Sequence, residues 1–330
     1  LSEENNVFEK KLLENNVKIY KSKYRNIYNP LNIFIIRKLI KNNNYDIVHA
    51  HLFPSFYWTA LASLFLNKKI KLILTEHNTH NKRREKKYLR LIEKLIYSRY
   101  NKIISISDMT QANLINWLKI NAKKVNKYTI IENGINVKKF KEAEPYKKSQ
   151  ISKDFNQDTK LICMIGRFSE QKDQITLIRA LELLDDDIHL LLIGEGKLKE
   201  DCVNLVKRIS LERRVHFLGF REDVDRILKT VDIVVLSSNW EGFGLAAVEG
   251  MAAGKPVIAS NVPGLREVVK DAGLIFEKGD YIDLSKKIKL LLQNKDIYIE
   301  TQEKCLKRAE KYDIYCMVKN YFDIYYNVLK

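Results

Sequence analysis

The chain has 330 residues, 45% of them hydrophobic and 30% charged, with a formal net charge of +17. That length favours two ordinary domains over one, and no apolar run approaches the roughly 18 residues that cross a bilayer. A soluble or peripheral protein is therefore expected, and nothing at Leu1 resembles a secretory start. The excess charge is one-sided: residues 1–150 hold 30 Lys+Arg against 12 Asp+Glu, whereas residues 151–330 hold 28 against 29. An anionic partner of the first half, a membrane surface or a nucleic acid, fits that asymmetry. Cys163, Cys202, Cys305 and Cys316 are scattered without metal spacing, so a reducing cytoplasm is expected.

Apolar runs predict strands at 17–20, 46–50, 70–75, 102–106 and 128–131, with helical patterns between them such as 56–66 and 107–118. The polar stretch 141–158, carrying Pro145, reads as a linker. The alternation then restarts with strands at 161–165, 189–193, 215–218, 233–236, 257–259 and 274–276. Strand–helix alternation with apolar strands implies α/β architecture, two Rossmann-like domains with parallel sheets covered on both faces. Ligands in such sheets bind beyond the carboxyl ends of the strands.

Two strand–loop–helix junctions carry the chemistry. The first follows the run 161–165, where GRFSEQKD (166–173) brings Arg167 and Lys172 to a helix start. A guanidinium and an ammonium beside free backbone N–H groups suit a diphosphate. The second, NWEGFGLAAVEG (239–250), sets Glu241 and Glu249 around a glycine turn, with seven residues between them. Were that stretch wholly helical, the carboxylates would stand about 12 Å apart. Glycosidase pairs lie within roughly 5–9.5 Å, so two grips on one long polar ligand fit better. The plainer readings are a capping glutamate with a solvated one, and two solvated cations.

The order and spacing of these segments resemble the retaining glycosyltransferases of family 4, which have the GT-B fold. The resemblance runs through YDIVHAHLF (45–53), TEHN (75–78), IISIS (103–107), IIENGIN (130–136), GRFSEQKD, LLIGEGKL (191–198), VHFLGFREDV (215–224) and VPGLREVV (262–269). It implies two Rossmann-like domains facing across a cleft. Residues 1–140 would form the acceptor side, 159–311 the nucleotide-sugar domain, and 312–330 a helix returning to the first domain. Family members usually begin with a strand and a glycine-rich loop that find no counterpart here, so an incomplete N-terminal domain is expected.

By resemblance, Gly166, Arg167 and Lys172 would hold the donor diphosphate, and Gly242, Phe243, Gly244 and Leu245 would offer backbone N–H groups. Glu241 would bind sugar hydroxyls, Glu249 the ribose, and Gly219, Phe220 and Arg221 would lie near the base. His77 matches the histidine that approaches the donor sugar; the plainer reading is a satisfied loop histidine. Glu241, His77, Arg167 and Lys172 form the expected catalytic set, without cofactor or metal. The expected reaction passes a sugar, with retention, from a UDP-sugar, or next GDP-mannose, to a hydroxyl of a glycan or lipid-linked acceptor in surface polysaccharide assembly. A cytoplasmic enzyme, peripheral at the inner face of the membrane, would fit it.

Other patterns point elsewhere. His49 and His51 imitate a metal pair without later ligands, and His189 and His216 fall at strand starts. Asp223 and Asp225 imitate a metal-binding Asp-x-Asp but read as helix caps, and 185–187 reads as an acidic turn. The run 81–100 has six cations in its first ten residues, then Leu91, Ile92, Leu95 and Ile96 at helical spacing. With that stripe packed inward, the cations would meet anionic head groups or only water. A sugar-nucleotide epimerase would need an acid/base pair that is not seen. A polyanion or nucleic-acid binder would lack a recognised motif, with only Tyr88 and Tyr97 to stack bases.

Overall fold

In a computed structural model, residues 9–330 are described except 25, 65, 67–69 and 80. The chain forms two compact units, Leu1–Ile131 with Tyr321–Lys330, and Glu132–Asn320. The first unit is built on β1 (Ile47–His51), β2 (Lys71–Glu76), β3 (Lys102–Ser105) and β4 (Tyr128–Ile130), all parallel and in sequential order. Ile73, Leu74, Ile103 and Ile104 are fully buried because helices cover both faces of the sheet. The helix Asp108–Leu118 starts where Ser107 accepts the N–H of Thr110 at its N-terminus, a side-chain cap.

Residues 17–20 are not a strand. Asn16, at φ 57°, closes the helix Glu9–Glu14, and the N–H of Val17 returns to Leu12 O. Val17 and Tyr20 are exposed and no ladder forms there, so a short alternation of apolar residues had no sheet edge to join. The helix expected at 56–66 is Ser55–Ser63, and position 65 within that expectation lies outside the described residues, as do 1–8.

The second unit holds β5 (Lys160–Ile165), β6 (Ile188–Ile193), β7 (Val215–Gly219), β8 (Ile233–Leu236), β9 (Val257–Ser260) and β10 (Leu274–Phe276). They pair in parallel in the order β10-β9-β8-β5-β6-β7. The chain starts in the middle and builds outwards in both directions, so the order reverses between β5 and β8. That reversal opens a crevice at the carboxyl ends of these two strands. The stretch expected as a linker is tied to this unit: Phe155 is buried, Tyr146 N–H donates to Thr230 Oγ1 at 2.8 Å, and Lys148 Nζ to Asp232 at 3.1 Å. Among the described residues no helix is long and apolar enough to cross a membrane.

The basic run 81–100 departs from expectation. In the helix Leu89–Ser98 only Ile96 of the four-residue stripe is buried, while Leu91, Ile92 and Leu95 face outwards. The inward side carries charge instead. Glu93 is fully buried, accepting from Tyr57 OH at 2.9 Å and Trp117 Nε1 at 2.6 Å, with Arg83 Nε at 3.3 Å. Arg84 turns inward as well, donating to Glu76 Oε2 at 3.2 Å. Helical period places residues on one face but does not say whether that face is the inner one.

Candidate active site

The two junctions predicted from the sequence flank the crevice of the second unit. β5 feeds the loop 166–173, and Asp173, at φ 50°, opens the helix Gln174–Glu182 by accepting from Thr176. β8 feeds the loop 237–244, and Gly244, at φ 93°, opens the helix Leu245–Ala252. A side chain at Gly244 would meet Leu265 Cδ1 at 2.6 Å as well as a forbidding backbone angle. No side chain caps that helix, and the first N–H groups bonded back are those of Ala247 and Val248, to Gly244 O. The preceding N–H groups of such a helix lack an intrahelical acceptor and suit an anion.

Main-chain and side-chain bonds stitch the loops together. Asn239 N–H donates to Gln171 O at 2.7 Å, Asn239 Nδ2 to Glu170 O at 2.7 Å, and Ser237 Oγ to Asp173 O at 2.7 Å. Lys172 Nζ forms an ion pair with Glu241 Oε1, and its aliphatic stem runs over Gly166, where a Cβ would meet it at 3.1 Å. The Glu241 carboxylate is buried and also accepts from Ser238 Oγ at 2.8 Å. Gln171 Nε2 donates to Trp240 O at 3.1 Å beside it. Lys172 and Glu241, assigned to separate jobs by resemblance, thus touch. Ser238 and Gln171 escaped the sequence reading: Ser238 reaches the glutamate from three residues earlier in the same loop, and Gln171 only through the pairing of β5 with β8.

The other candidates are placed as follows. Arg167 is exposed, and among the described residues its guanidinium has no ion-pair partner. Phe243 is a core residue packed edge-on against Tyr312 at 5.1 Å, so only its backbone is available to a ligand. Leu245 is exposed at the helix start. Glu249 lies one turn further in, and burial pushes its carboxyl up to about 7 against the opposing pull of Lys139 and Lys172. At the end of β7, Gly219 takes φ 67°, and Phe220 after it is exposed. Arg221 is held by Asp223 through Nε at 2.8 Å and Nη2 at 2.5 Å. Asp223 is therefore no side-chain cap, contrary to the sequence reading: Arg221 and the Tyr146 hydroxyl occupy its carboxylate and hold its pKa well below the usual range. Asp225 pairs with Lys139 at 3.3 Å.

In the first unit His77 follows β2, and its Nε2 lies 3.0 Å from His51 Nδ1. His49 is held by Thr75 Oγ1 at 2.8 Å and Tyr325 OH at 2.7 Å. Burial lowers His77, and it lowers His49 to about 3 and His51 to about 4, with the neighbouring imidazoles adding to the effect. All three rings are neutral at pH 7. The alternation of HAH along β1 places His51 beside the end of β2, and this partner of His77 was missed because it depends on strand register. Among the described residues no group of three or more His, Cys, Asp or Glu is arranged to hold a metal ion.

The sequence pattern of the family described as glycosyl transferases group 1 matches residues 146–312, and that of glycosyltransferase family 4 matches residues 3–139. An uncharacterized glycosyltransferase of Methanocaldococcus jannaschii is 31% identical over 291 residues, covering 83% of this chain and 74% of its own. An N,N'-diacetylbacillosaminyl-diphospho-undecaprenol alpha-1,3-N-acetylgalactosaminyltransferase of Campylobacter jejuni is 28% identical over 310 residues, covering 91% and 81%. Among solved structures, Anabaena HepE in complex with UDP and glucose superposes with a TM-score of 0.82 at 21% identity, covering 96% of this chain and 88% of that one. That likeness identifies the pair of parallel-sheet units as the GT-B fold. With the family patterns spanning both units and the paired loops in place, the chain belongs to glycosyltransferase family 4, the glycosyl transferases group 1, and is a sugar-transferring enzyme.

Proposed function

We propose that this enzyme takes a sugar from a UDP-sugar and passes it, with retained anomeric configuration, to a hydroxyl of a lipid-linked glycan. The observation that carries the reading is the contact of Lys172 with Glu241 where two helix starts meet. One such mouth offers a cation and N–H groups to a diphosphate and a carboxylate to sugar hydroxyls. The acceptor class follows the activity named for the Campylobacter relative, and the donor base follows the UDP in the Anabaena complex. A GDP-sugar is the second donor to test.

Glycosyl transfer leaves a nucleoside diphosphate, so the barrier falls as charge growing on the leaving phosphate is stabilised by groups already in place. Lys172, Arg167 and the N–H groups from Gly242 to Leu245 are proposed for that task. Glu241 accepts hydrogen bonds from the transferring sugar while Lys172 and Ser238 fix its orientation. His77, neutral and oriented by His51, is proposed to hydrogen-bond the donor sugar. The departing phosphate oxygen then takes the acceptor proton, which leaves no need for a protein nucleophile. The enzyme is proposed to work in the cytoplasm, without a cofactor or metal.

A thermal-shift panel of UDP- and GDP-sugars, followed by proton NMR of the glycoside formed, tests this reading. Stabilisation by UDP-sugars and a product of the donor's own anomeric configuration are expected. An inverted product, or no response to any nucleotide sugar, would refute it. Glu249 supplies a pH test. Its carboxyl accepts from both ribose hydroxyls at once, through charge-assisted bonds, only when ionised, and it gains that charge as the pH rises through about 7. Affinity for a UDP-sugar should therefore rise about tenfold from pH 6 to pH 8. Isothermal titration should show the rise in the wild type and a flat profile in Glu249→Gln.

A further inference from the structure

The helix Leu89–Ser98 presents two unlike faces. Glu93, Ile96 and Tyr97 are buried, whereas Tyr88, Leu91, Ile92 and Leu95 are 67%, 69%, 48% and 71% exposed. Their spacing puts these four on one side, across two consecutive turns. Single exposed leucines are ordinary, but a contiguous exposed patch of this kind marks an interaction surface.

Cations frame the patch. Lys87 and Lys94 lie one turn before and one turn after Leu91, and Arg99 continues the row of Ile92 and Leu95. Lys87 and Arg99 are exposed and Lys94 is partly so. Among the described residues none of the three is in an ion pair, unlike Arg83 and Arg84 of the same basic run, which are committed to Glu93 and Glu76. The basic run is thus sorted: Arg83 and Arg84 brace the interior, and Lys87, Lys94 and Arg99 flank the exposed leucines.

An apolar face edged by Lys and Arg is what a helix lying in the plane of an anionic membrane requires. Its leucines enter the boundary between head groups and acyl chains, and its cations meet lipid phosphates. A second copy of this chain would bring the same cations against these, a repulsive pairing, within a half of the chain that carries 30 Lys+Arg to 12 Asp+Glu. We propose that this face docks the protein on an anionic bilayer, with Leu91 and Leu95 inserted and Lys87, Lys94 and Arg99 on phosphates. The sequence suggested cations alone at the head groups. The structure adds the leucines to the contact, and nothing in this proposal depends on which sugar is transferred.

The test is flotation of the whole chain with vesicles of phosphatidylglycerol and phosphatidylcholine in equal parts, and of phosphatidylcholine alone. Binding to the anionic vesicles only, weakened by salt, is expected. Leu91→Ser with Leu95→Ser should lower the partition coefficient by at least about tenfold, and Lys87→Gln with Lys94→Gln by about tenfold. A Leu95→Trp variant reads insertion directly, since its emission should shift to the blue on anionic vesicles. All these positions are on the surface, so melting temperatures should match the wild type. Wild-type partition of the double leucine variant, an unshifted emission of the Leu95→Trp variant, or no binding to anionic vesicles would overturn the proposal. So would a lipid-free dimer in light scattering that the leucine substitutions dissolve, which would assign the face to a second copy.

Discussion

Replacing Lys172 with methionine should lower kcat/KM for sugar transfer by about a thousandfold, the upper range for losing one preorganised charge-stabilising group. It should also cost about 2–3 kcal/mol of stability, because the Glu241 carboxylate is buried and loses the ammonium it touches while keeping Ser238. The two effects are separable. Lys172→Met combined with Glu241→Gln removes both charges, so urea denaturation should show most of the stability restored. Transfer should stay as low as in the single variant, since neither the proposed phosphate grip nor the carboxylate proposed for the sugar survives. Recovery of transfer in the double variant would mean that Lys172 serves only to neutralise Glu241. Near wild-type turnover in Lys172→Met would remove it from the mechanism.

Glu93→Ala should be the most damaging single change to the first unit, at about 4 kcal/mol. The carboxylate is fully buried and joins three helices, taking hydrogen bonds from Tyr57 of Ser55–Ser63 and Trp117 of Asp108–Leu118 while facing Arg83. Alanine leaves two partly buried donors without an acceptor and a mostly buried guanidinium without its counter-charge. Arg83 also stacks on Phe53, its guanidinium carbon 3.8 Å from the ring centroid, so it cannot simply swing into water. Glu93→Gln keeps an acceptor but not the charge and should cost about half as much. Equilibrium unfolding in urea measures both, and a loss below about 1 kcal/mol in the alanine variant would class the network as an ordinary surface pair.

The second unit could be read from its sequence almost element by element. Its strands are short, largely buried apolar runs, and each ends at glycine or at polar or charged residues, so composition and period agreed. The two junctions were legible as separate sites for the same reason. Their contact was not, because Lys172 and Glu241 are 69 residues apart and meet only through the pairing of β5 with β8. The first unit was harder. Residues 17–20 show the right alternation but lack a strand to pair with, and Leu91 and Leu95 have the right period but point outwards. A sequence gives periodicity. Which side is the interior depends on what else needs burying, and here Glu93 with its donors took the inner face. Asp223 likewise sits at the start of a helix, yet a bidentate arginine two residues earlier competes better for its oxygens than the helix N–H groups do.

The bonds from Asn239 to Gln171 and Glu170, and from Ser237 to Asp173, fasten both walls of the crevice to each other. Walls held in this way would meet the phosphates and sugar of the proposed donor in one fixed posture. On the proposed reading, discrimination between one base and another falls to the margin after β7, where Phe220 stands in the open and Arg221 is held by Asp223. Anyone wishing to retune this enzyme to a new nucleotide should begin at that margin and leave the fastened walls untouched.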